Sequence, residues 1–211
     1  MSISYPLSLP SSCSPNGTSW SLLSAVGSLE SPFTFQQQVQ EHAGQRWMID
    51  ANFPVMKPEQ AGDWRAFFAM LRGSRGTFLF GDVTRLTPLG AIKDMVGIDP
   101  RVKGASQSGD ELIIDGLSNS ITNAFLAGDW IQLGSGATSR LHMVVANAST
   151  NGSGETTLTI VPDLRESPAD NAVVTYENCK GVFRSPKNDI DLFGTTGTNL
   201  SSFRLIGVEA L

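Results

Sequence analysis

Residues 57–72 read KPEQAGDWRAFFAMLR, and they predict one amphipathic helix in a chain whose other patterns indicate strands. Pro58 suits a first helical turn, and Gly73 is a favourable C-terminal stop. Apolar residues recur at helical spacing along one face, at Ala61, Trp64, Phe67, Phe68 and Leu71. Such a stripe is typical of a helix that packs on a core, so we interpret it as core rather than as a cofactor site.

Strand patterns lie on both sides of this helix. Residues 33–40 alternate between a mostly apolar face and a polar, glutamine-rich face, and residues 46–53 form a second run after a turn signal at Gly44. Together they predict a hairpin that turns between residues 42 and 45. After the helix, residues 77–80 predict a short buried strand that ends at Gly81.

Residues 101–180 have a different sequence pattern, in which short strand patterns alternate with Gly-Asp and Asn-Gly turn signals. The predicted strands are residues 111–115, 130–133, 141–145, 157–161 and 172–176. Their spacing predicts a small barrel or sandwich. Residues 181–211 return to the earlier pattern, with strands at 182–183 and 203–208 that need partners from the N-terminal half.

The predicted fold class is therefore mainly β, with one flanking α-helix and an inserted small β-barrel-like module. The predicted domains are a discontinuous unit of residues 1–100 plus 181–211 and an OB-like insertion at residues 101–180. Residues 1–31 are rich in Ser, Pro and Gly. They predict an extended arm, or a strand plus loops. The segment would either dock on a neighbouring subunit or form a poorly ordered terminus.

Composition excludes several classes of protein. The 211 residues include 17% charged side chains, where a typical soluble domain has roughly 25%, and the net charge is −5. With 40% hydrophobic residues the chain can bury a core, so it is not disordered. No run approaches the roughly 18 apolar residues of a membrane span, and the lack of Lys and Arg before Arg46 predicts no classical export signal. The acidic balance argues against nucleic-acid binding through phosphates, which needs clustered Lys and Arg.

Catalytic and metal-binding patterns are largely missing from the sequence. His42 and His142 do not stand in a zinc-binding spacing, and the Gly-rich residues 134–139 lack the lysine of a phosphate-binding loop. Cys13 and Cys179 lie far apart in sequence, which leaves their pairing open. The sequence therefore predicts a protein that is not an enzyme, without catalytic, cofactor-binding or metal-binding residues.

Two other functions stay open at this level. A carbohydrate-binding β-module of a tail or secreted protein would use Trp130 or Trp20 as an exposed stacking platform. A hydrolase or a calcium site would use carboxylates at strand ends, although Gly-Asp at the start of a strand is ordinary turn usage. The carboxylates concerned are Asp110, Glu111, Asp115 and Asp129.

Several words of the sequence are distinctive in their order: SPFTFQQQV at 31–39, QRW at 45–47, AGDWRAFF at 61–68, LRG at 71–73 and GTFLFGD at 76–82. These words resemble distal tail proteins, which lie at the tail tip of long-tailed, non-contractile bacteriophages (siphoviruses). Further words extend the resemblance over most of residues 31–185: VKGASQSG at 102–109, LAGDWIQL at 126–133, RLH at 140–142 and PDLR at 162–165. The N-terminal arm and residues 186–200 do not share it.

The resemblance implies a structural virion protein with a tail-tube-like β-sandwich, which assembles in the host cytoplasm and acts in the phage tail tip. It would form a ring, usually hexameric, that joins the tail tube protein to the tip or baseplate hub and tape-measure proteins. Strands of adjacent subunits would build a closed inner barrel, through which DNA passes without specific binding. The low charge suits a subunit whose surface is largely interface, and a slightly acidic lumen would not hold DNA.

Contacts between subunits are expected in the predicted hairpin, at Phe33–Trp47, and in the segment Phe203–Leu211. The candidate contact residues are Phe33, Phe35, Gln37, Val39, Trp47, Phe203, Leu205 and Ile206. The alternative is that their apolar side chains fill the core of their own sandwich.

Overall fold

The computed structural model describes residues 3–189, 194–196 and 200–210 of the chain. The predicted mainly β fold is confirmed, with 40% of residues in strands and 12% in helical structure. The helix α1 spans Pro58–Leu71. The strands are β1 (Gly17–Glu30), β2 (Gln37–Asn52), β3 (Thr77–Phe80), β4 (Arg101–Val102), β5 (Gly109–Asp115), β6 (Trp130–Leu133), β7 (Arg140–Val144), β8 (Thr156–Leu164), β9 (Val174–Thr175), β10 (Gly181–Arg184), β11 (Gly194–Thr196), β12 (Leu200–Ser202) and β13 (Arg204–Glu209).

One antiparallel sheet has five strands in the order β1-β2-β13-β10-β3. It unites the N-terminal strands with the C-terminal ones, because β13 pairs with β2 from Arg204↔Asn52 to Val208↔Met48. The N-terminal segment reaches the far edge of this sheet, where the Leu7 N–H donates to Thr77 O (2.8 Å) and Leu79 N–H donates to Leu7 O (2.9 Å). Leu7 therefore covers the edge of β3.

The helix α1 packs on this sheet through the predicted stripe, whose five members are all buried. The Trp64 ring lies 4.1 Å from that of Phe53, and the Phe68 ring lies 5.7 Å from that of Phe203. The helix ends where Arg72 and Gly73 both adopt the left-handed conformation, with φ of 51° and 69°. Gly73 thus supplies the predicted stop, since glycine enters that conformation without steric cost.

A second antiparallel sheet has six strands in the order β4-β5-β8-β7-β6-β9. It is nearly closed, because a bridge between Arg101 and Val173 brings the two end strands together. Its interior is a separate apolar cluster that includes Leu112, Ile114, Phe125, Ile131, Val144, Leu158 and Ile160. All its strands come from residues 101–175, and the division of the chain into two domains stays a prediction.

The hairpin predicted between residues 33–40 and 46–53 is wrong. β2 runs without a break from Gln37 to Asn52 and pairs with β1. Residues 17–30 therefore form a strand, in agreement with the interpretation of the N-terminal segment as a strand plus loops. The turn lies at residues 31–36, where Phe35 N–H donates to Ser31 O (2.9 Å) and Phe35 has a positive φ of 53°. Gly44 lies within β2, and a Cβ built on it would lie 2.9 Å from the Cβ of Ala25. Gly44 therefore allows a close approach of two strands instead of a turn.

Candidate functional site

The outer part of the β1–β2 hairpin extends beyond the five-stranded sheet. β13 supports β2 only as far as Met48, whereas the pairing between β1 and β2 continues to Glu30↔Gln37. We refer to residues 23–45 as the ribbon, and to residues 17–22 and 46–52 as the root. At roughly 3.4 Å per residue, the stretch of β2 beyond β13 is about 35 Å long. In the described part of the chain no third strand pairs with the ribbon.

The ribbon exposes large apolar side chains. Phe33 is 91% exposed, Leu29 75%, Phe35 74%, Val39 65% and Val26 51%. Among its 23 residues only Glu30, Glu41 and His42 carry ionisable side chains. Exposed apolar groups at this density are typical of surfaces that bind another protein. A two-stranded ribbon is also marginally stable in water by itself, so a covering partner would stabilise it.

The two edges of the five-stranded sheet differ in their protection. The β3 edge has four residues and is covered by Leu7. The β1 edge has 14 residues without Pro, Lys or Arg, and no described strand pairs with its outer side. Long edge strands are templates for pairing with another chain, and proteins usually protect them with Lys, Pro or a covering segment. The sheet is therefore open on the side that carries the ribbon.

The structure separates the predicted contact residues into two groups. Phe33, Phe35, Gln37 and Val39 are exposed in the ribbon. Trp47, Phe203 and Leu205 are between 2% and 5% exposed and belong to the core of their own chain, and Ile206 is half-buried. The contact prediction is corrected for the three buried residues, because a side chain inside the core offers almost no surface to a neighbour.

Sequence reasoning missed Val26 and Leu29 of the ribbon. Both lie on β1, in the Ser-rich N-terminal segment, which the sequence predicted as an extended arm or a strand plus loops without naming contact residues in it. A signal was present, since residues 17–30 contain no Pro and include several apolar residues at strand spacing.

Trp47 lies at the boundary between root and ribbon, where it contacts both sheets. Its ring lies 5.0 Å from that of Trp130, and its indole Nε1–H donates to Leu141 O on β7 (3.0 Å). Trp20 is half-buried in the same aromatic cluster, with its ring 5.0 Å from Trp130. Trp130 is only 5% exposed, so the prediction that it forms an exposed sugar-stacking platform is wrong.

The candidate carboxylates do not form a common site. Asp110 and Glu111 are exposed on β5 and Asp115 is half-buried at its end. Asp129 is 1% exposed and accepts hydrogen bonds from the backbone N–H groups of Leu89, Gly90 and Leu126, at 2.6, 3.1 and 2.8 Å. Its role is to hold the loop before residue 90 against the six-stranded sheet. Within the described ranges, no three His, Cys, Asp or Glu side chains converge as a metal site would require.

A crevice of about 270 Å³ opens between β7 and the segment after β8. His142 lies in its wall, and its Nδ1–H donates to Pro162 O (2.6 Å), because a carbonyl oxygen can only accept. Burial lowers the pKa of His142 to about 4, although the bond to Pro162 acts against this shift. Glu209 and Arg165 also line the crevice, with Glu209 Oε2 3.5 Å from Arg165 Nη2. Burial raises the pKa of Glu209 and lowers that of Arg165, while their mutual attraction opposes both shifts.

Cys13 and Cys179 are both free thiols. Cys179 is buried, and this burial raises the pKa of its thiol to about 12, so the thiol stays protonated and unreactive at neutral pH.

Comparisons with known proteins do not assign the chain to a family. The described residues contain no helix with the length and apolar character needed to cross a membrane. No protein-family model matches the sequence, and no curated protein shows significant similarity to it.

Proposed function

We propose that this chain is a structural protein of a bacteriophage tail tip that forms a ring between the tail tube and the tip or hub proteins. Its partners are then further copies of itself, in a ring that is usually hexameric in the resembling proteins, together with the tail tube, hub and tape-measure proteins. It works in the virion after assembly in the host cytoplasm, and DNA passes through the ring. The role is geometric and uses no catalytic residue, cofactor or metal.

The observation that carries this proposal is the ribbon. It combines exposed apolar side chains with an open strand edge, and both features call for a covering protein. Another copy of the chain can provide both, when the free side of β1 in one ribbon pairs with the free side of β2 in the ribbon of the next copy. Because this contact joins two different edges it is head-to-tail, and it closes into a ring when the rotation between copies allows it.

The composition also supports a surface that is largely interface. Charged residues make up 17% of the chain, and the ribbon contains neither Lys nor Arg. Its polar residues are mainly Ser and Gln, such as Gln36, Gln37 and Gln38. Neutral polar groups cost less to remove from water than charged ones, provided that they find hydrogen-bond partners. The interface centre of protein complexes is likewise depleted of charge.

The experiment that tests the proposal combines native mass spectrometry with electron microscopy of the purified chain, alone and mixed with tail tube protein. We expect closed rings with a central hole wide enough for duplex DNA, in which each neighbour buries at least ~800 Å² per subunit. The double variant Phe33→Ser with Phe35→Ser removes two exposed rings from the ribbon. It is expected to weaken assembly about 100-fold or more, the effect of losing two interface anchors.

A matched control is the double variant Val55→Ser with Val96→Ser. These two side chains are 57% and 92% exposed but lie outside the ribbon. The control is expected to assemble as the unaltered chain does. A chain that stays monomeric at high concentration and on addition of tail tube protein would contradict the proposed function.

A further inference from the structure

The hydrogen-bond ladder between β2 and β13 ends in an unusual way. The last pair is Met48↔Val208, and the next donor along β2 is the backbone N–H of Trp47. This N–H donates to the side-chain Oε2 of Glu209 at 3.2 Å. Glu209 is the last residue of β13, so a carboxylate takes the place that a backbone carbonyl has in an ordinary ladder.

Glu209 is 3% exposed and pairs with a cation from the other sheet. Arg165 follows the end of β8, and its Nη2 lies 3.5 Å from Glu209 Oε2. Other charges face the pair, because Arg140 on β7 and Arg46 on β2 both act electrostatically on Arg165, and Arg140 also acts on Glu209. A buried carboxylate is stable only when it is paired and hydrogen-bonded, so these contacts hold Glu209 in position.

The register between β1 and β2 shifts directly beyond this point. Leu23 pairs with Arg46 and Ala25 pairs with His42, so one residue of β1 faces three residues of β2. A bulge of this kind bends a strand pair and increases its twist. The ribbon thus meets the root at a bulge, one residue beyond a backbone bond that ends on Glu209.

We propose that the chain of contacts Trp47–Glu209–Arg165 is a latch that fixes the direction of the ribbon relative to the root. Through this latch, the direction of the ribbon depends on the position of the six-stranded sheet. Glu209 acts as a positioning residue on the backbone of Trp47, and Arg165 connects Glu209 to the six-stranded sheet. Movement of that sheet relative to the root would release Glu209 and then the ribbon. The latch is a property of the single chain and does not depend on ring formation.

The test measures the direction of the ribbon by electron–electron distance spectroscopy between spin labels. One label is placed on the ribbon at Ser28→Cys and the other on the exposed face of α1 at Asp63→Cys, in a Cys13→Ser background. Cys179 is buried and unreactive, so it stays in place. Hydrogen exchange of the Trp47 amide is followed in parallel on the unlabelled chain. All variants are compared in one assembly state, established by sedimentation.

Glu209→Ala removes the acceptor of the Trp47 N–H, and Arg165→Met removes the connection to the six-stranded sheet. Both are expected to widen the distance distribution, and Glu209→Ala is expected to speed exchange of the Trp47 amide about 10- to 100-fold, as loss of a charge-assisted hydrogen bond implies. Glu209→Gln keeps an acceptor but loses the charge, so it should resemble Arg165→Met. Glu209→Gln is also the variant that tests the latch if Glu209→Ala does not fold.

The matched control is Asp50→Asn. Asp50 pairs with Arg204, whose Nε–H donates to Asp50 Oδ1 at 2.8 Å, and this pair joins the same two strands within the root. The control should leave the distance distribution unchanged. An unchanged distribution in both Glu209 variants would overturn the latch, and a response to Glu209→Ala without one to Arg165→Met and Glu209→Gln would overturn the coupling between sheets. Equal acceleration of the amides in β3 would show general loosening and would also overturn it.

Discussion

The root and the ribbon are two halves of one hairpin with opposite surroundings. In the root, Trp47, Ile49 and Ala51 are at most 5% exposed, whereas in the ribbon Val39 is 65% exposed on the same strand. Pairing between β1 and β2 is continuous apart from the bulge, so strand pairing cannot cause this difference in side-chain exposure. The difference arises because the root packs against β13 and the aromatic cluster. Strand pairing therefore gives the hairpin its shape, and contacts distant in sequence decide which half becomes core.

A substitution in the root should have a much larger effect on stability than one in the ribbon. Trp47→Ala should lower the free energy of unfolding by about 3–5 kcal/mol, the usual cost of truncating a buried aromatic residue. Phe33→Ala in the ribbon should change it by less than about 0.5 kcal/mol when the chain is monomeric, as for other exposed positions. Urea unfolding at matched protein concentration measures both. Similar losses for the two variants would remove the contrast between the two halves.

The two histidines of the chain have opposite surroundings. His142 on β7 is buried with a pKa lowered to about 4, while His42 is exposed on the ribbon. When the pH falls below 6.5, the ordinary pKa of histidine, the unfolded chain takes up a proton at residue 142 but the native chain does not. The free energy of unfolding therefore falls as the pH falls from about 6.5 to about 4. Between pH 7 and pH 5 this loss amounts to about 2 kcal/mol.

His142→Asn should abolish this loss, because an asparagine amide can still donate to Pro162 O but does not titrate. The control His42→Asn should keep the pH dependence of the unaltered chain. Glu209 contributes with the opposite sign, since its raised pKa lets the native chain hold a proton more readily. All three chains retain Glu209, so the comparison cancels its effect. Urea unfolding at pH 7 and pH 5 measures the free energy of unfolding of each chain. An unaltered pH dependence in His142→Asn would contradict the claim that His142 causes the loss of stability.

The smallest expected effect concerns the bulge that divides the two halves. Gly44→Ala places a Cβ 2.9 Å from that of Ala25, which is too close for two carbon atoms, so the variant should lose about 1 kcal/mol. Ala25→Gly removes the opposing methyl group. The double variant should therefore be more stable than the sum of the single changes predicts, with a coupling of about 0.5–1 kcal/mol. Strict additivity in the double-mutant cycle would show that the two residues do not touch.

Local patterns allowed much of the fold to be predicted. The helix at 58–71 and the strand at 77–80 were predictable because apolar spacing, Pro58 and Gly73 all act within a few residues. The turn was not, because Gly44 gives the same local signal at a bulge as at a turn. In the observed turn Phe35 has a positive φ. Aromatic residues rarely adopt this conformation, so the sequence did not predict a turn there.

The candidate site could be predicted only in part for the same reason. Phe33, Phe35 and Val39 were identified from alternation, and the structure shows them exposed. Alternation cannot tell an apolar residue that faces the core from one that faces a partner, so Trp47 and Leu205 were included as well. Glu209 and Arg165 are 44 residues apart and meet only through the packing of the two sheets. No local pattern predicts such a pair.

The cover that Leu7 provides on β3 has a consequence for how copies of the chain can add to one another. A sheet that is open at both ends can accept strands from both sides and extend into a fibre, which is the hazard of unprotected edges. Here the β3 end is closed, so growth through the body of the sheet stops after one addition. Among the described strands of this sheet, further edge pairing can then pass along the ribbon, whose two sides are both free of other described strands. For the proposed ring this leaves one route of growth through the five-stranded sheet, and it is a route that curvature can close.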